Sequence, residues 1–472
     1  MKKLLSILLC VVILVSCGLL LVGCDSKKGD ATLYTDNLVS EFKGKDDIYT
    51  ITLREKHRVD TMILEESTDS VLSFGVYGKE SDGTYTLIYR QNRIDKYRVC
   101  ALDAIETDEL RIEIFSKQGK VKINNIEVYD SNESRREAPL RVVEYVMTTD
   151  KKLQNNRNNR EFYDYFKVID DIILLGDISM DSEGNIVYNE GKDDFISDVQ
   201  VINEFKAKDS VQNPDLKIVA SVDIKSKVVA EDSKKPNKDV YKWIKKNIKT
   251  IVPNLVAFAK ENNIDGIDID WDYPENGTQW NWLSKLIVEL DKEMDAIGKY
   301  VTVTLKPNEC KLSKKARNAV EYVNLMTYDM FDERGEHSSN YETCKHSIQT
   351  FMSKSKFTAD KIMLGLSFYG RTTNESSLIF DIKDYFKDNK DIDKWVNRLY
   401  NYKYYDDNGT EKYSEIYFNG YAMVRDKVTY AIASGLGGVS IFSMSYDVSA
   451  FWEYSLHNAV SEAIERGIVI SK

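Results

Sequence analysis

The sequence is poor in histidine and cysteine, the side chains on which most metal and thiol chemistry depends. Its four histidines do not have the spacing of metal ligands. Of the six cysteines, two lie within an apolar leader and one directly follows it, which leaves Cys100, Cys310 and Cys344. Three thiols do not make a disulfide framework, and pairing of Cys310 with Cys344 stays open. We expect no metal and no cofactor, and a chemistry of carboxylates and phenols.

An excess of positive charge is also missing. Lys and Arg number 65 against 76 Asp and Glu, which gives a net charge of −11 and a pI of about 5.2. An acidic protein is poorly suited to bind nucleic acid or an anionic surface through charge. Nucleic acid is therefore excluded as an expected partner.

Long apolar runs are confined to the N-terminus. Two lysines after the initiating methionine precede an almost unbroken apolar run that ends in the letters LVGC at Cys24. This pattern is typical of an export signal and resembles a bacterial lipobox. We predict a signal peptide over residues 1–23, a tether over 24–32 lipidated at Cys24, and an extracytoplasmic position anchored to a bacterial membrane. Processing at Cys17 and an uncleaved signal anchor are the alternatives.

Two patterns divide the rest of the chain. Residues 33–130 contain short alternating strands separated by turns, typical of a β-sandwich, and a polar linker is predicted over 131–140. Residues 141–472 alternate eight apolar strands with helical segments, which predicts a (β/α)8 TIM barrel. A small inserted lobe is predicted at about 372–418, between the seventh and eighth strands. The expected fold class is α/β, a TIM barrel preceded by an all-β sandwich.

The predicted sandwich has a weaker resemblance of its own. Its segments FGVYGKESDGTYTLIY and LRIEIF resemble discoidin-like, galactose-binding-like modules in strand order. The resemblance implies a β-sandwich fold. Sugar binding and a simple spacer function are both open for this part of the chain.

The most informative motif is DGIDIDWDYP, with acidic residues at alternate positions. Residues two apart in a strand share a face, so Asp268, Asp270 and Asp272 point the same way, opposite to the apolar residues between them. Carboxylates about 7 Å apart raise one another's proton affinity, so one of them can hold a proton while another is charged. A catalytic site that needs both an acid and a base uses such an arrangement. A solvated acidic edge strand is the alternative. An EF-hand is disfavoured, because Tyr273 and Gln279 occupy the positions of the required Gly and Glu.

Three further motifs close other predicted strands. VNLMTYD ends the sixth strand, LGLSFYGR the seventh and GLGGVSIFSMSYD the eighth, while the acidic motif ends the fourth. Catalytic groups of such barrels lie at these strand ends, and acids beside aromatic rings suit a sugar. In this order the four motifs resemble glycoside hydrolase family 18, the chitinases and their relatives, over about Arg141 to Ala463.

The resemblance implies substrate-assisted hydrolysis next to N-acetylglucosamine, in which the substrate's acetamido oxygen attacks the anomeric carbon. It implies that Asp270 orients the acetamido group, Asp268 shares its proton and Tyr328 donates its hydroxyl to the acetamido oxygen. Asp272 would be the acid. The residues predicted to bind substrate are Asp329, Met326, Tyr369, Arg371, Phe442 and Trp271.

The chain departs from the family pattern at three places. The usual Glu acid is Asp272, whose carboxyl is withdrawn by about 1.5 Å. Phe442 replaces the usual Trp, and the third-strand motif with two glycines reads Ser221-Val222-Asp223-Ile224. We predict a monomeric lipoprotein that hydrolyses N-acetylglucosamine glycans, namely chitin-like oligosaccharides, N-glycans or peptidoglycan fragments, weakened by its shorter acid. A non-catalytic glycan-binding surface protein and a structural envelope protein are the alternatives.

Overall fold

The computed structural model describes most of the chain after the predicted tether. The described residues are 36–45, 47–133, 139–148, 151–189, 191–225, 228, 233–271, 273–308, 310–330, 340–372, 380–381, 383, 386, 393–405, 408–447 and 453–466. The predicted signal peptide, Cys24 and Asp272 lie outside them. None of the described helices has the length and apolar character needed to span a membrane. Cys100 and Cys344 are buried free thiols, and Cys310 is also buried.

The first part of the chain is an antiparallel β-sheet. Its order is β1-β2-β5-β3-β4, with β6 paired to β2. The strands are β1 (Val39–Lys45), β2 (Ile48–Glu66), β3 (Val71–Lys79), β4 (Tyr85–Gln91), β5 (Tyr97–Lys117) and β6 (Ile123–Tyr129). All six strands contribute to one hydrophobic cluster.

Strands β2 and β5 extend well beyond the alternating segments that identify them in the sequence. Their extensions, 59–66 and 97–102, are buried almost without interruption. Alternate residues serve two cores, since Met62 packs in the cluster of the sheet and Ile63 in that of the barrel. A strand covered on both faces loses its polar alternation, which is why the sequence gives no strand signal there.

The second part is a closed parallel barrel, as predicted. The eight strands pair in the order β7-β8-β10-β11-β12-β13-β14-β18, and β18 pairs back to β7. They are β7 (Arg141–Met147), β8 (Asp171–Met180), β10 (Lys217–Asp223), β11 (Gly266–Asp270), β12 (Tyr300–Leu305), β13 (Val323–Leu325), β14 (Ile362–Ser367) and β18 (Gly438–Phe442). The short β9 (Ile186–Tyr188) is antiparallel to β8.

Helices follow most barrel strands and cover the barrel with a continuous apolar core. The described helices are α1 (Lys152–Asn155), α2 (Arg160–Tyr163), α3 (Lys192–Lys206), α4 (Pro236–Glu261), α5 (Gly277–Asp295), α6 (Lys314–Ala319), α7 (Tyr341–Ser355), α8 (Tyr421–Ala433) and α9 (Leu456–Arg466). The order of strand and helix places the acidic motif at the end of the fourth barrel strand, β11, as predicted.

An inserted lobe lies between the seventh and eighth barrel strands, where the sequence predicts it. It contains a three-stranded antiparallel sheet in the order β15-β17-β16. Its strands are β15 (Arg371–Thr372), β16 (Arg398–Tyr405) and β17 (Glu411–Tyr417). A small cluster of its own, including Phe380 and Ile416, holds the lobe together.

The N-terminal sheet and the barrel meet at helix α8. Every residue from Ala422 to Ala433 is buried, because the barrel covers one side of this helix and strand β5 packs on the other. Asp426 of α8 pairs with the buried Arg98 of β5 at 2.7 Å between Oδ2 and Nη2. The same carboxylate accepts hydrogen bonds from the Tyr89 hydroxyl at 2.7 Å and the Ala101 amide at 2.9 Å. A fully partnered buried charge therefore joins the two parts.

Candidate active site

Asp268 lies inside the barrel in a pocket of hydroxyl groups. Its side chain is fully buried. Oδ1 accepts a hydrogen bond from Thr302 at 2.8 Å, and Oδ2 accepts from Thr304 at 3.0 Å and from Ser221 at 3.1 Å. These donors come from the strands on either side of β11, in parallel register with it. Burial raises the pKa of Asp268 despite these donors, which favour its charged form, so this carboxyl is suited to hold a proton.

Tyr145, at the end of the first barrel strand, extends this network and was not predicted. Its hydroxyl lies 2.6 Å from Thr304 Oγ1. Because Thr304 donates its proton to Asp268, Tyr145 donates to Thr304. Burial, and then the charge of Asp268, raise the pKa of Tyr145 far above its usual value. One feature of the sequence could have identified Tyr145, namely that it is a tyrosine near the end of an apolar strand, where barrels carry catalytic groups.

Asp270 and Tyr328 lie close together at the mouth of the barrel. Asp270 is half-buried at the end of β11, on the face it shares with Asp268. Tyr328 is half-buried, and burial raises its pKa, with further contributions from the charges of Asp329 and Asp270. Gly365 leaves the room this ring needs, since a Cβ there would lie 2.9 Å from it and 2.2 Å from the Leu325 carbonyl. The acids and the phenol of the predicted site thus converge.

Arg371 and Asp329 form a two-pronged ion pair at the ends of the sixth and seventh strands. Nε of Arg371 donates to Oδ1 at 2.9 Å, and Nη2 donates to Oδ2 at 2.7 Å. The guanidinium carbon lies 4.9 Å from the centroid of the Tyr369 ring. Burial lowers the pKa of Arg371, but Asp329 outweighs this effect and the pKa is raised. The ion pair fixes the segment after the sixth strand against the end of the seventh, and a contact of Arg371 with a sugar stays a prediction.

Aromatic rings line the same mouth. Phe442 is half-buried, and its ring centroid lies 6.0 to 6.3 Å from those of Tyr145, Tyr328 and Tyr369. Met326 is half-buried on the sixth-strand motif. The predicted residues Asp268, Asp270, Tyr328, Asp329, Met326, Tyr369, Arg371 and Phe442 therefore all belong to this end of the barrel. Their interaction with a substrate stays a prediction.

Trp271 departs from the prediction that it binds substrate. Its side chain is 1% exposed, and its Nε1 donates to Asn237 Oδ1 of helix α4 at 2.9 Å. It packs in the apolar core between barrel and helices. The alternation of the strand points it away from the carboxylates, so packing replaces substrate contact as its function.

A second polar cluster lies outside the barrel wall, behind Tyr145. His457 of α9 is buried, with Nε2 2.9 Å from Glu144 Oε2 and Nδ1 2.7 Å from Asp447 Oδ2. Glu144 also accepts from the Met444 amide at 2.7 Å. The Tyr165 ring stacks on the imidazole with 4.3 Å between centroids. The cluster ties the first strand to the segment after the eighth, and no local spacing in the sequence indicates it.

We expect the stability of the protein to fall between about pH 6.5 and pH 9 as this histidine loses its proton. Burial lowers the pKa of His457, but its bonds to Asp447 and Glu144 raise it to about 9. The stabilisation is complete below the unfolded pKa of about 6.5 and is lost as the pH rises through the folded value. The difference is roughly 3 kcal/mol by that linkage. Urea denaturation at several pH values measures it.

His457→Gln is the control for that series. Glutamine keeps a hydrogen-bonding side chain but has no proton to lose in this range, so the variant should be less stable at pH 6 and show a flatter profile. Equal slopes in parent and variant between pH 6.5 and 9 would contradict a charged His457.

A closed parallel barrel with acids, phenols and aromatic rings at the carboxyl ends of its strands has the site architecture of TIM-barrel enzymes. The sequence matches the family Glycosyl hydrolases family 18 over residues 141–447, which is more than half of the chain. The protein therefore belongs to glycosyl hydrolase family 18.

Curated relatives are similar over part of their length. Chitinase 1 of Aphanocladium album is 26% identical over 260 residues, which is 46% of this chain and 57% of that protein. Endochitinase 1 of Metarhizium anisopliae is 25% identical over 253 residues, 45% of this chain and 56% of that protein. The chain thus spans little more than half the length of these relatives.

Solved structures show the same fold. The crystal structure of a chitinase from Bacteroides thetaiotaomicron superposes with a TM-score of 0.53 at 17% identity, covering 70% of this chain and 97% of that one. The Ostrinia furnacalis Group IV chitinase in complex with allosamidin gives a TM-score of 0.51 at 18% identity, covering 70% of this chain and 100% of that one.

Proposed function

We propose that the protein hydrolyses β-linked N-acetylglucosamine glycans by substrate-assisted catalysis, at a rate limited by its short acid. The observation that carries the proposal is the convergence of the buried Asp268 with the half-buried Asp270 and Tyr328 at the barrel mouth. Family membership and the names of the relatives support a chitin-like substrate. Chitin-like oligosaccharides, N-glycans and peptidoglycan fragments are the substrates to compare.

In the proposed first step, the substrate supplies the nucleophile. Its acetamido oxygen bonds to the anomeric carbon as the bond to the leaving sugar breaks, and Asp272 gives its proton to the leaving oxygen. Tyr328 donates its hydroxyl to the acetamido oxygen and Asp270 accepts the acetamido N–H. Asp270 also stabilises the positive charge that develops on the ring formed.

Asp268 and its hydroxyl donors also serve the proposed first step. When Asp270 turns to the acetamido group, Asp268 takes over the proton the two acids share, and the raised pKa of Asp268 is consistent with this function. Water then adds to the anomeric carbon and gives its proton to Asp272. The acetamido group is restored and the acid is ready for another cycle.

A gain of activity in Asp272→Glu is the expected outcome that tests this proposal. Glutamate extends the carboxyl by about 1.5 Å, and a misplacement of about 1 Å is associated with losses on the order of 100-fold. Parent and variant are compared on a fluorogenic di-N-acetylglucosamine substrate, with Asp272→Asn as the control that has no acid. A gain of at least about tenfold in kcat supports a weakened hydrolase.

The second candidate is a glycan-binding protein without catalysis. It is favoured by the combination of Asp272, Phe442 and the glycine-free third-strand motif. Saturable binding of chitooligosaccharides, with the ligand recovered intact from parent and Asp272→Glu alike, would establish it and exclude the hydrolase. Product formation that Asp272→Asn abolishes would exclude the binder.

We further propose that the protein is a monomeric lipoprotein, anchored through Cys24 to a bacterial membrane and facing outward. The support is the basic start, the apolar run and the LVGC letters of the leader. We also propose a discoidin-like fold for the N-terminal sheet, supported by its antiparallel strands. In the order of the chain, the sheet follows the proposed tether and precedes the barrel.

A further inference from the structure

A separate cavity lies where the N-terminal sheet, the inserted lobe and the barrel meet. It encloses about 250 Å³. The sheet contributes Asn92, the lobe contributes Arg398 and Tyr400, and the N-terminus of helix α7 contributes Asn340. None of the residues assigned above to the candidate active site lines it. The cavity is thus a second concave surface, built from three parts of the chain.

Aromatic faces and amide groups dominate its chemistry. The Arg398 guanidinium carbon lies 4.7 Å from the centroid of the Tyr400 ring and 4.6 Å from that of Tyr417. This contact holds both rings beside the cavity, although Tyr400 is 66% exposed. The amides of Asn92, Asn340 and Asn397 also line it. Flat apolar faces bordered by amides are suited to a ring that carries both C–H and hydroxyl groups.

Two donors at this junction lack an acceptor within the described part of the chain. Nε of Arg398 is buried without a hydrogen-bond partner, and so is Nε2 of Gln91. Gln91 accepts a hydrogen bond from Asn397 through its other side-chain atom, at 3.1 Å. Leaving a buried donor without an acceptor is energetically unfavourable. Arg398 lines the cavity, so a ligand that brings an acceptor oxygen to its Nε would remove that penalty.

The charges of the cavity favour a neutral ligand over an anion. Arg398 forms an ion pair with Glu415. Arg98 pairs with Asp426 at 2.7 Å and approaches Asp95 at 3.9 Å. Of the three guanidinium groups that line the cavity, those of Arg98 and Arg398 are thus already matched by carboxylates, and the third is that of Arg93. The volume lies just under the roughly 300–1,000 Å³ of drug-sized pockets, which suits one or two sugar rings.

We propose that this cavity is a second saccharide site, which binds a neutral sugar through Tyr400, Tyr417 and the surrounding amides. Its occupant bridges the sheet, the lobe and the barrel. The site is independent of the proposed hydrolysis, because it shares no residue with the catalytic rim. The chain would therefore have a sugar-binding site in this cavity even if the barrel had no hydrolase activity.

Replacing Tyr400 by Ala tests the proposal, with Tyr405→Ala as the matched control. Tyr405 is on the same strand, is 61% exposed and has a similar cationic neighbour, with Lys403 Nζ 5.5 Å from its ring centroid, but it does not line the cavity. Calorimetry and saturation-transfer NMR are run on the full chain with N-acetylglucosamine, galactose and mannose. Inorganic phosphate is the anionic probe.

We expect at least one sugar to bind saturably, with about tenfold weaker binding in Tyr400→Ala and unchanged binding in Tyr405→Ala. Both variants should hydrolyse the fluorogenic disaccharide at the rate of the parent. A result that contradicts the hydrolase proposal can therefore be told apart from one that contradicts the second saccharide site. Absence of saturable sugar binding, equal binding by the two variants, or binding of phosphate in preference to sugars would each overturn the proposal. Circular dichroism confirms that both variants are folded.

Discussion

Asp270→Asn is expected to lower kcat on the fluorogenic disaccharide by at least about 100-fold, the loss typical of removing one preorganised electrostatic contact from a developing charge. The side chain lies at the barrel mouth beside Tyr328. An amide keeps its shape but removes the charge that would stabilise the intermediate, so KM should change much less than kcat. Steady-state kinetics separate the two effects.

Asp265→Asn is the control for that measurement. Asp265 precedes the same strand at the opposite end of the barrel, where its Oδ2 accepts the Ile218 amide at 2.9 Å, a bond that an asparagine oxygen retains. Its kcat should stay near that of the parent. If the parent is slow, the comparison is made in the Asp272→Glu background. The proposed role of Asp270 is falsified if both asparagine variants keep the parental kcat.

Arg98→Met is expected to lower the free energy of unfolding by about 3–5 kcal/mol, the usual effect of removing one partner of a buried ion pair. Asp426 would keep its bonds from Tyr89 and Ala101 but lose its counter-charge at a site that is 0% exposed. Because the pair joins sheet and barrel, we expect both to unfold together in a single, earlier transition. Urea denaturation followed by circular dichroism measures the change.

Two further variants show whether that loss comes from the buried charge. Arg157 pairs with Glu204 at the surface, where their side chains are 49% and 39% exposed, so Arg157→Met should leave the stability nearly unchanged. The double variant Arg98→Met with Asp426→Leu should recover part of the stability, because it leaves no carboxylate unpaired. Two separate unfolding transitions in the parent would contradict the coupling of sheet and barrel.

Much of the barrel could be predicted because its signals are local. Each apolar strand, and each polar motif at a strand end, is visible within about ten residues. The closed parallel topology then brings Asp270 and Tyr328 to one rim, although they are far apart in sequence. Trp271 alternates with the carboxylates along the strand, so the alternation of side chains by itself places Trp271 in the core and not at the substrate site.

The features that the sequence did not reveal depend on contacts between distant segments. Tyr145 is an ordinary tyrosine in an apolar strand until Thr304 and Asp268 surround it. Glu144 and His457 meet only because the first barrel strand and the last described helix are neighbours in the closed fold. The buried halves of β2 and β5 have no alternation, because the barrel covers their second face.

Helix α8 limits how the protein can be divided. Two consecutive charged side chains, Arg425 and Asp426, are at most 1% exposed and bond to residues of strand β5 of the N-terminal sheet. A barrel produced without residues 36–133 would expose this helix, and its charges would lose the partners that β5 supplies. Such a fragment should aggregate, and chimaeras with relatives should succeed only when α8 and the sheet are exchanged together.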